Sequence, residues 1–489
     1  MHLRTDPMSI MKSSIVAGVL ALLSACTVGP NYVRPTATPV MPEAYKEVNG
    51  WKPAQPQDEA IKGKWWEAYN DPQLNALEEQ VAISNQNVIE AEAHFRQAHA
   101  LLQGAKAGYY PTVTVGASAT NARRSGNVGT GIPATSSTND FQLPVELSWE
   151  ADIWGRIRRS VEASQASVQA SGADLAAANL SARSALAQAY FQLRTLDSQR
   201  QLLDTTVSYY QKSLDLTRNR YTSGVAAKAD VLQAETLLKS TRAQAIDLGV
   251  QRAQLEHAIA LLIGKPASSF SLAVEPLAAT PPAIPPGLPS QLLERRPDIA
   301  GAERRMAAAN AQIGVAEAAW YPSLRLSASG GLESTSLAKW LTWPSSFWAV
   351  GPAISETVFD GGLRNSQNEQ ARAAYDISVA AYRQAVLTGF QEVEDNLAGL
   401  RILDEEARVQ EEAVAAARQS VAITDNQYKA GIVGYLNVLI AQTAELANKR
   451  TAIDIQGRRM VASALLIKAL GGGWDATMLP SGENLEKGK

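Results

Sequence analysis

The side chains able to do chemistry are few in this chain and do not group together. Among 489 residues there are four histidines and one cysteine, so a structural zinc cluster has almost no ligands to draw on. His94 and His99 are five positions apart in a predicted helix, a spacing that does not place both on one face. Residues 126–131 form a glycine-rich run between two predicted strands that opens no helix, so a phosphate-binding loop is not expected. Nucleophile-elbow, zinc-binding His-Glu-x-x-His and P-loop motifs are also absent, and the sequence predicts no catalysis, no metal and no cofactor.

The one cysteine stands where a covalent modification is expected. A basic residue precedes a short apolar run, residues 15–23, which is long enough for a signal peptide and too short to cross a bilayer. Leu-Ser-Ala directly before Cys26 resembles the bacterial lipobox, in which the cysteine is acylated and begins the mature protein. Thr27 follows instead of Asp, which points to the outer membrane. We therefore predict a lipoprotein signal peptide over residues 1–25 and an extended lipid-anchored segment over residues 26–60.

The overall charge and hydrophobicity exclude two classes of protein. A formal net charge of -3 gives no reason to expect a nucleic-acid partner. No stretch reaches the roughly 18 apolar residues that a membrane helix requires, which excludes a polytopic helical membrane protein.

The chain contains the same pattern twice, which fixes its organisation. The stretch from Asn87 to Pro111 recurs about 211 positions later, and the stretch from Tyr221 to Leu232 recurs about 207 positions later. A proline-rich segment joins the two copies and is typical of an extended, semi-rigid connector. The predicted divisions are a first repeat over residues 61–270, a connector over 271–289, a second repeat over 290–473 and a C-terminal tail over 474–489.

Each repeat is predicted to hold a pair of strands, because apolar and polar residues alternate there with period two. The four segments are residues 112–120, 141–153, 323–329 and 347–359. Strands of about ten residues suit a tilted crossing of the outer membrane, with the apolar face to lipid and the small polar face to a lumen. A soluble sandwich would alternate in the same way. Aromatic residues at the strand ends favour the membrane interpretation: Tyr109, Tyr110, Trp154, Trp320, Tyr321, Trp340, Trp343 and Trp348.

Very long helices are predicted to follow each pair of strands. No proline occurs between Gly155 and Pro266, and apolar residues recur there in steps of three and four from Leu186 to Tyr221. The same series recurs 207 positions later, which indicates coiled-coil packing. A helix over residues 156–221 would be about 100 Å long at 1.5 Å per residue, far longer than a globular helix.

Four strands cannot close a barrel, and open sheet edges are not tolerated within a membrane, so the chain is expected to oligomerise. Two copies would give eight strands with a filled interior, whereas three give twelve strands and an open lumen. The predicted fold class is therefore a mixed α and β membrane protein. In it, a trimeric twelve-stranded outer-membrane β-barrel, with four strands per chain, continues into a periplasmic α-helical coiled-coil barrel built from two tandem repeats.

Several motifs resemble one known family over almost all of the mature chain. They lie at residues 26–32, 65–74, 287–299 and 428–439, and the third is the most specific. On these motifs the chain resembles the outer-membrane factors of tripartite efflux systems, the TolC-like channels, and most closely their NodT-like lipoprotein branch. The resemblance implies a homotrimer in the bacterial outer membrane, anchored to lipid and extending into the periplasm. It also implies a passive exit channel for small toxic compounds, which receives them from an inner-membrane RND-type pump through a periplasmic adaptor.

The same resemblance assigns roles to the two turns that join the long helices. The residues implied in the periplasmic tip and adaptor contact are Tyr221, Ser223, Gly224, Val225, Tyr428, Ala430, Gly431 and Ile432. The aperture candidates are Asp230, Asp425, Asn437 and Ile440. Many relatives carry an Asp where this chain has Ile440, so an acidic ring is not expected at that position. A solvated helix-end residue is an equal alternative for Asp425.

Two other functions compete with the efflux channel. The same channel could serve as the exit duct of a type I protein secretion system, although the lipobox and the proline-rich connector favour efflux. A structural coiled-coil lipoprotein that conducts nothing is the alternative from a different class. Four alternating strands with aromatic ends argue against it, since a spacer requires no barrel. No motif indicates which compound is exported.

Overall fold

The computed structural model describes residues 28–38, 41–48, 63–123, 125, 137–284 and 289–480. Cys26, the glycine-rich run at residues 126–131 and the end of the tail lie outside the described residues. The long helices, in chain order, are α1 (Pro72–Ser84), α2 (Gln86–Ala107), α3 (Arg156–Thr222), α4 (Lys228–Leu262), α5 (Pro297–Ala318), α6 (Leu363–Lys429) and α7 (Tyr435–Ala469). Short helical turns over Leu292–Arg295 and Leu337–Trp340 separate some of them.

The two predicted repeats are confirmed by the helix lengths. α2 and α5 each contain 22 residues, α3 and α6 each contain 67, and α4 and α7 each contain 35. At 1.5 Å per residue, α3 and α6 are each about 100 Å long. Gly155 and Gly362 occupy equivalent positions in the two repeats, since each directly precedes its long helix with a positive φ, 81° and 93°.

The long helices pack along the predicted apolar series. Leu186, Leu193, Leu203, Tyr210 and Leu214 are buried, and so are Leu400, Leu403, Val421 and Tyr428 in the second repeat. Tyr221, at the end of the series, differs from the prediction because it is 44% exposed. Thr217, a polar residue within the series, is buried. Thr217 is tolerated there because its hydroxyl donates to the carbonyl of Ser213, 2.9 Å away.

The strands form one antiparallel sheet with four positions. It contains β1 (Thr112–Val115), β2 (Ser118–Ala122), β3 (Thr138–Ala151), β4 (Ser323–Ser334) and β5 (Ser346–Ser355). β1 and β2 both pair with β3, β3 pairs with β4, and β4 pairs with β5. The first predicted strand is therefore broken into two pieces that occupy one edge of the sheet, and the last strand ends four residues earlier than predicted.

The main core lies around the middle of the helices. Trp65 and Trp66, which precede α1, are almost fully buried at 2% and 1% exposure. They belong to a cluster with Phe191 of α3, Val393 of α6 and Met460 of α7. The cluster ties both repeats together, so the helices that extend on either side of it are held at their centre.

Candidate functional site

Most large apolar residues of the sheet form one continuous face, although Phe347 of β5 lies on the other. The register aligns Val113 of β1, Leu147 of β3, Ala328 of β4 and Val350 of β5 in one row across the sheet. The rows beside it are also apolar: Val115, Val145, Gly330 and Trp348 on one side, and Trp149, Leu326 and Pro352 on the other. Val113 and Val350 are 59% and 74% exposed in the single chain. An uncovered apolar sheet of this extent is suited to contact with lipid.

The opposite face of the sheet is polar. Thr114, Glu146, Ser329 and Ala349 share one row there, and Thr112, Ser148, Ser327 and Gly351 share the next. These side chains are small apart from the charged ones, as expected for residues that line a water-filled interior.

Aromatic residues flank the sheet at both ends, as predicted. Where β3 ends and α3 begins, Trp154 stacks on Tyr321 with 4.7 Å between ring centroids, and its indole N–H donates to the carbonyl of Pro322 at 2.8 Å. Trp343 and Trp348 lie toward the other end of the sheet and are 86% and 79% exposed. Amphipathic rings of this kind are typical of the two surfaces of a membrane.

The two outer edges of the sheet have no strand beside them in the described part of the chain. The β1 and β2 pieces form one edge, and β5 forms the other. Unpaired backbone N–H and C=O groups at an edge require a partner when they lie in hydrocarbon. The sheet of a single chain is therefore incomplete, because both of its edge strands need a neighbouring strand.

At the far end of α3 and α6, the chain turns back in the same way in both repeats. Gly224 and Gly431 both have φ of 76°. The N–H of the next residue, Val225 or Ile432, donates back to the carbonyl of Arg220 or Gln427, at 2.8 and 2.9 Å. This is a Schellman helix end, which glycine adopts without strain. We call these two turns, Tyr221–Asp230 and Tyr428–Asn437, the tips.

An aromatic cluster joins the two tips. Tyr428 is buried at 5% exposure and packs edge-on against Tyr435, with 5.5 Å between ring centroids. The guanidinium of Arg220, from the other repeat, lies 4.8 Å from the ring centroid of Tyr428. Arg220 also donates to the backbone carbonyl of Lys429 at 3.2 Å. Of the predicted contact residues, Tyr428 is thus placed inside the joint between the tips.

The remaining contact candidates lie at the surface. Val225 and Ile432 at the two turns are 65% and 72% exposed, and Tyr221 is 44% exposed. Ser223, Gly224, Ala430 and Gly431 are also exposed. The tips therefore present small and apolar side chains at the end of the molecule farthest from the sheet.

The aperture candidates are in different surroundings. Asp425 forms an ion pair with Lys429 at 2.7 Å, and the hydrogen bond that Lys429 donates to this carboxylate raises the pKa of Lys429. The carboxylate of Asp230 accepts from the backbone N–H of Ala227 at 3.4 Å, at the start of α4. Asn437 and Ile440 are exposed on α7. The charge of Asp425 is thus already paired with that of Lys429, whereas the carboxylate of Asp230 accepts a hydrogen bond at the start of α4.

A seat for the N-terminal segment is a feature that the sequence pattern did not reveal. Arg159 is 5% exposed and donates to the carbonyls of Val28 and Gly29, at 3.2 and 3.0 Å, and to the amide oxygen of Asn31 at 3.1 Å. A side chain on Gly29 would lie 2.4 Å from the backbone of Gly314, so only glycine fits there. The sequence signal that could have revealed this seat is a difference between the repeats, since the second repeat has Ser366 where the first has Arg159.

A second missed feature is a buried ion cluster in the first repeat. The carboxylate of Asp197 accepts from Arg194 at 3.1 Å, from Arg252 at 2.8 Å and from the backbone N–H of Glu275 at 3.1 Å. The equivalent carboxylate, Asp404, accepts from Arg459 at 2.7 Å but is 43% exposed. Asp197 recurs as Asp404 and Arg252 recurs as Arg459, each 207 positions later. This recurrence is the sequence signal that could have revealed the cluster.

One buried acid has no hydrogen-bond partner in the described structure. Glu78 of α1 has no exposed surface, and neither carboxyl oxygen is bonded. Burial raises its pKa from 4.5 to about 9, although Arg183 opposes the shift. Arg183 itself lies 4.2 Å from the ring centroid of Trp66. Glu78 is therefore a neutral acid in the core at neutral pH.

This acid predicts a pH dependence of stability. The pKa of Glu78 is higher in the folded state than in the unfolded state. Its contribution to the free energy of unfolding is therefore complete below about pH 4.5 and is lost as the pH rises toward about 9. The free energy of unfolding falls by at most about 1.4 kcal/mol per pH unit over this range. Glu78→Gln should flatten the fall of the thermal midpoint between pH 5 and 9. The control is Glu79→Gln, since Glu79 is exposed and paired with Lys64 at 2.7 Å. An unchanged midpoint-against-pH curve in Glu78→Gln would refute the assignment.

The described residues contain no cluster of three or more side chains able to hold a metal ion. Within the same residues, no helix combines the length and apolar character needed to cross a bilayer.

Comparison with known proteins agrees with this geometry. The family model described as outer membrane efflux protein matches residues 77–265 and 288–472, one segment in each repeat. The pyoverdine export outer membrane protein OpmQ of Pseudomonas aeruginosa is 32% identical over 418 residues, which cover 84% of this chain and 88% of OpmQ. The toluene efflux pump outer membrane protein TtgF of Pseudomonas putida is 30% identical over 478 residues, covering 95% of this chain and 98% of TtgF.

Solved structures show the same fold. The outer-membrane channel OprN superposes with a TM-score of 0.85 at 29% identity, covering 92% of this chain and all of OprN. The open state of the Neisseria gonorrhoeae MtrE outer membrane channel superposes with a TM-score of 0.80 at 26% identity, covering 92% of this chain and 99% of MtrE. The predicted family resemblance and fold class are confirmed. The chain therefore belongs to the outer membrane efflux proteins, a family of outer-membrane channels and not a class of enzymes.

Proposed function

We propose that this protein is the outer-membrane exit channel of a tripartite efflux pump, which conducts small toxic compounds passively to the outside. The observation that carries the proposal is the sheet, whose apolar face is uncovered, whose other face is polar and whose edges are open. It continues directly into helices about 100 Å long. A membrane wall joined to a long helical duct is the geometry that an exit channel requires.

Three copies complete the wall. The open edge formed by β1 and β2 in one protomer pairs with β5 of the next, so that three sheets of four positions close into twelve. The six helical hairpins then surround one axis, because the two repeats of each chain are nearly equivalent. Closure satisfies the unpaired backbone groups at both edges.

A lipid on Cys26 anchors the chain at the base of this wall. The backbone N–H of Val28 donates to the carbonyl of Trp154 at 3.2 Å, beside the aromatic stack that ends the sheet. Two residues span at most about 7 Å, and this short separation from Val28 supports a lipid anchor close to the aromatic end of the sheet. Cys26→Ser should abolish incorporation of labelled palmitate, and continued labelling would exclude this anchor.

The tips contact the periplasmic adaptor, and through it the inner-membrane RND-type pump. The exposed apolar turns at Val225 and Ile432 support this role, since they lie at the end opposite to the sheet. The names of two relatives refer to pyoverdine and to toluene. Such different cargo on one fold supports a channel that leaves selection mainly to the pump.

Deletion of the gene tests the proposal. The deletion strain should become more susceptible to drugs, dyes, solvents or metals, and the complete gene should restore resistance. Loss of a secreted protein with unchanged susceptibility would favour a type I secretion duct instead. Unchanged transport of both kinds, combined with a weakened cell envelope, would favour a structural lipoprotein.

Asp230→Ala is expected to loosen the closed tip. The carboxylate holds the first turn of α4, and an acid at a helix start contributes about 0.3 to 1 kcal/mol. The variant should therefore show a higher resting conductance in planar bilayers. Asp215→Ala is the control, because among the described residues Asp215 accepts a hydrogen bond only from Gln211 on its own helix. Resting conductance equal to that of the control would count against a role of Asp230 in closure.

A further inference from the structure

The loop that joins β4 to β5 carries large apolar side chains that the described part of the chain leaves uncovered. We call residues 335–345 the β4–β5 loop; it lies at the end of the sheet away from the long helices. Its Leu337, Leu341 and Trp343 are 63%, 69% and 86% exposed. The corresponding loop of the first repeat, residues 123–137, is rich in glycine, serine and threonine and contains no aromatic residue. Large apolar side chains at this end are therefore a property of the second repeat.

The β4–β5 loop leans toward the apolar face of the sheet. The ring of Trp340 packs against Phe141, with 5.9 Å between ring centroids, and its indole N–H donates to the carbonyl of Leu332 at 3.4 Å. Phe141 lies four residues from Val145 on β3, so both are on the same face. Trp348, near the start of β5, shares that face through the row of Val145. A loop that closed over the lumen would pack on the polar face instead, so this loop extends the lipid-facing surface.

Two basic side chains lie at the same end of the sheet. Lys339 belongs to the β4–β5 loop, and Arg123 directly follows β2. Both are exposed, and neither forms an ion pair within the described residues. The carboxylates at this level, Asp140 of β3 and Glu333 of β4, are on the polar face. Because β2 and β5 are the two outer edges of the sheet, the proposed trimer brings Arg123 of one protomer and Lys339 of the next to one junction.

We propose that each junction binds a phosphorylated, multiply acylated lipid of the outer leaflet, of the lipid A type. The inference rests on the proposed trimer, because the basic pair comes from two protomers. Leu337, Leu341 and Trp343 contact the acyl chains, and indole rings favour the level of the lipid head groups. Lys339 and Arg123 bind the phosphate through charge-assisted hydrogen bonds. The lipid thereby bridges neighbouring protomers at the outer rim of the barrel.

Native mass spectrometry of the detergent-solubilised trimer, titrated with purified lipid A, tests the inference. The wild type should retain lipid A in preference to phosphatidylethanolamine and to lipid A from which the phosphates have been removed. K339A and R123A should each lower the affinity for lipid A on the order of fivefold. L341S/W343S should lower it at least as much. K265A is the matched control, since Lys265 is an exposed lysine beyond the end of α4, away from the sheet.

The outcomes separate this site from the channel on which it rests. A protein that forms no trimer contradicts the proposed channel itself. A trimer that binds lipid A no better than phosphatidylethanolamine, or that binds it equally well in the K339A/R123A double variant, overturns the lipid site and leaves the channel intact. Loss of lipid A binding in an excess of inorganic phosphate, but not in KCl of the same ionic strength, would assign the basic pair to a free anion and would also overturn the inference.

Discussion

Asp197→Ala is expected to lower the free energy of unfolding by about 3 kcal/mol or more, whereas Asp404→Ala should cost less than about 1 kcal/mol. The two aspartates occupy the same position in the two repeats. Asp197 has no exposed side-chain surface, and its partners Arg194 and Arg252 are only 3% and 12% exposed. Removing the carboxylate leaves two buried guanidinium groups without their shared anion.

The difference between the repeats comes from the connector. Leu272 and Ala273 direct their carbonyls at Arg252 and Arg194, at 2.7 and 2.8 Å, and this segment covers the cluster. In the second repeat Asp404 is half-exposed, so water can solvate the partners that a substitution leaves behind.

The thermal midpoint of the helical circular dichroism of each variant measures the effect. Asp197→Ala should unfold well below the wild type and Asp404→Ala close to it. Equal midpoints in the two variants would show that burial beneath the connector does not govern the strength of the cluster.

Val350→Arg is expected to prevent assembly in the outer membrane, whereas Ala349→Arg should be tolerated. Val350 is on the apolar face and is 74% exposed, and Ala349 is its neighbour on the polar face. An arginine facing lipid near the middle of a membrane strand costs about 2 to 4 kcal/mol, while one facing a wide lumen remains hydrated.

The amount of folded protein in the outer-membrane fraction distinguishes the two variants. Loss of Val350→Arg with retention of Ala349→Arg supports the assignment of the faces. The reverse pattern would mean that the sheet is turned the other way, and retention of both would mean that the sheet does not meet lipid.

Much of this fold is predictable because the chain repeats and because its helices are long. The equal helix lengths, the turns at Gly224 and Gly431 and the alternating strands all follow from local patterns that occur twice. The break between β1 and β2 does not follow from them. It lies opposite Pro144 of β3, which has no N–H to donate, so only Gly116 bonds across, to the carbonyl of Pro144 at 3.0 Å. Alternation within one strand cannot reveal a missing donor in its partner.

The candidate site was less predictable for a similar reason. The burial of Tyr428 depends on Arg220, about 200 residues earlier in the chain, and the seat of the N-terminal segment depends on Arg159 and Gly314. A periodic pattern identifies which face of a helix is buried, but it does not identify the residue that covers it. The unpaired acid Glu78 illustrates the same limit, since a glutamate in a predicted amphipathic helix is normally assigned to its solvated face.

The mass of the mature, detergent-solubilised protein measured by light scattering tests the central claim most directly, because the channel depends on closing twelve strands around one axis. The protein moiety should have about three times the mass of one chain after correction for detergent. A stable monomer or dimer would leave the edges of the sheet open and would contradict the exit channel.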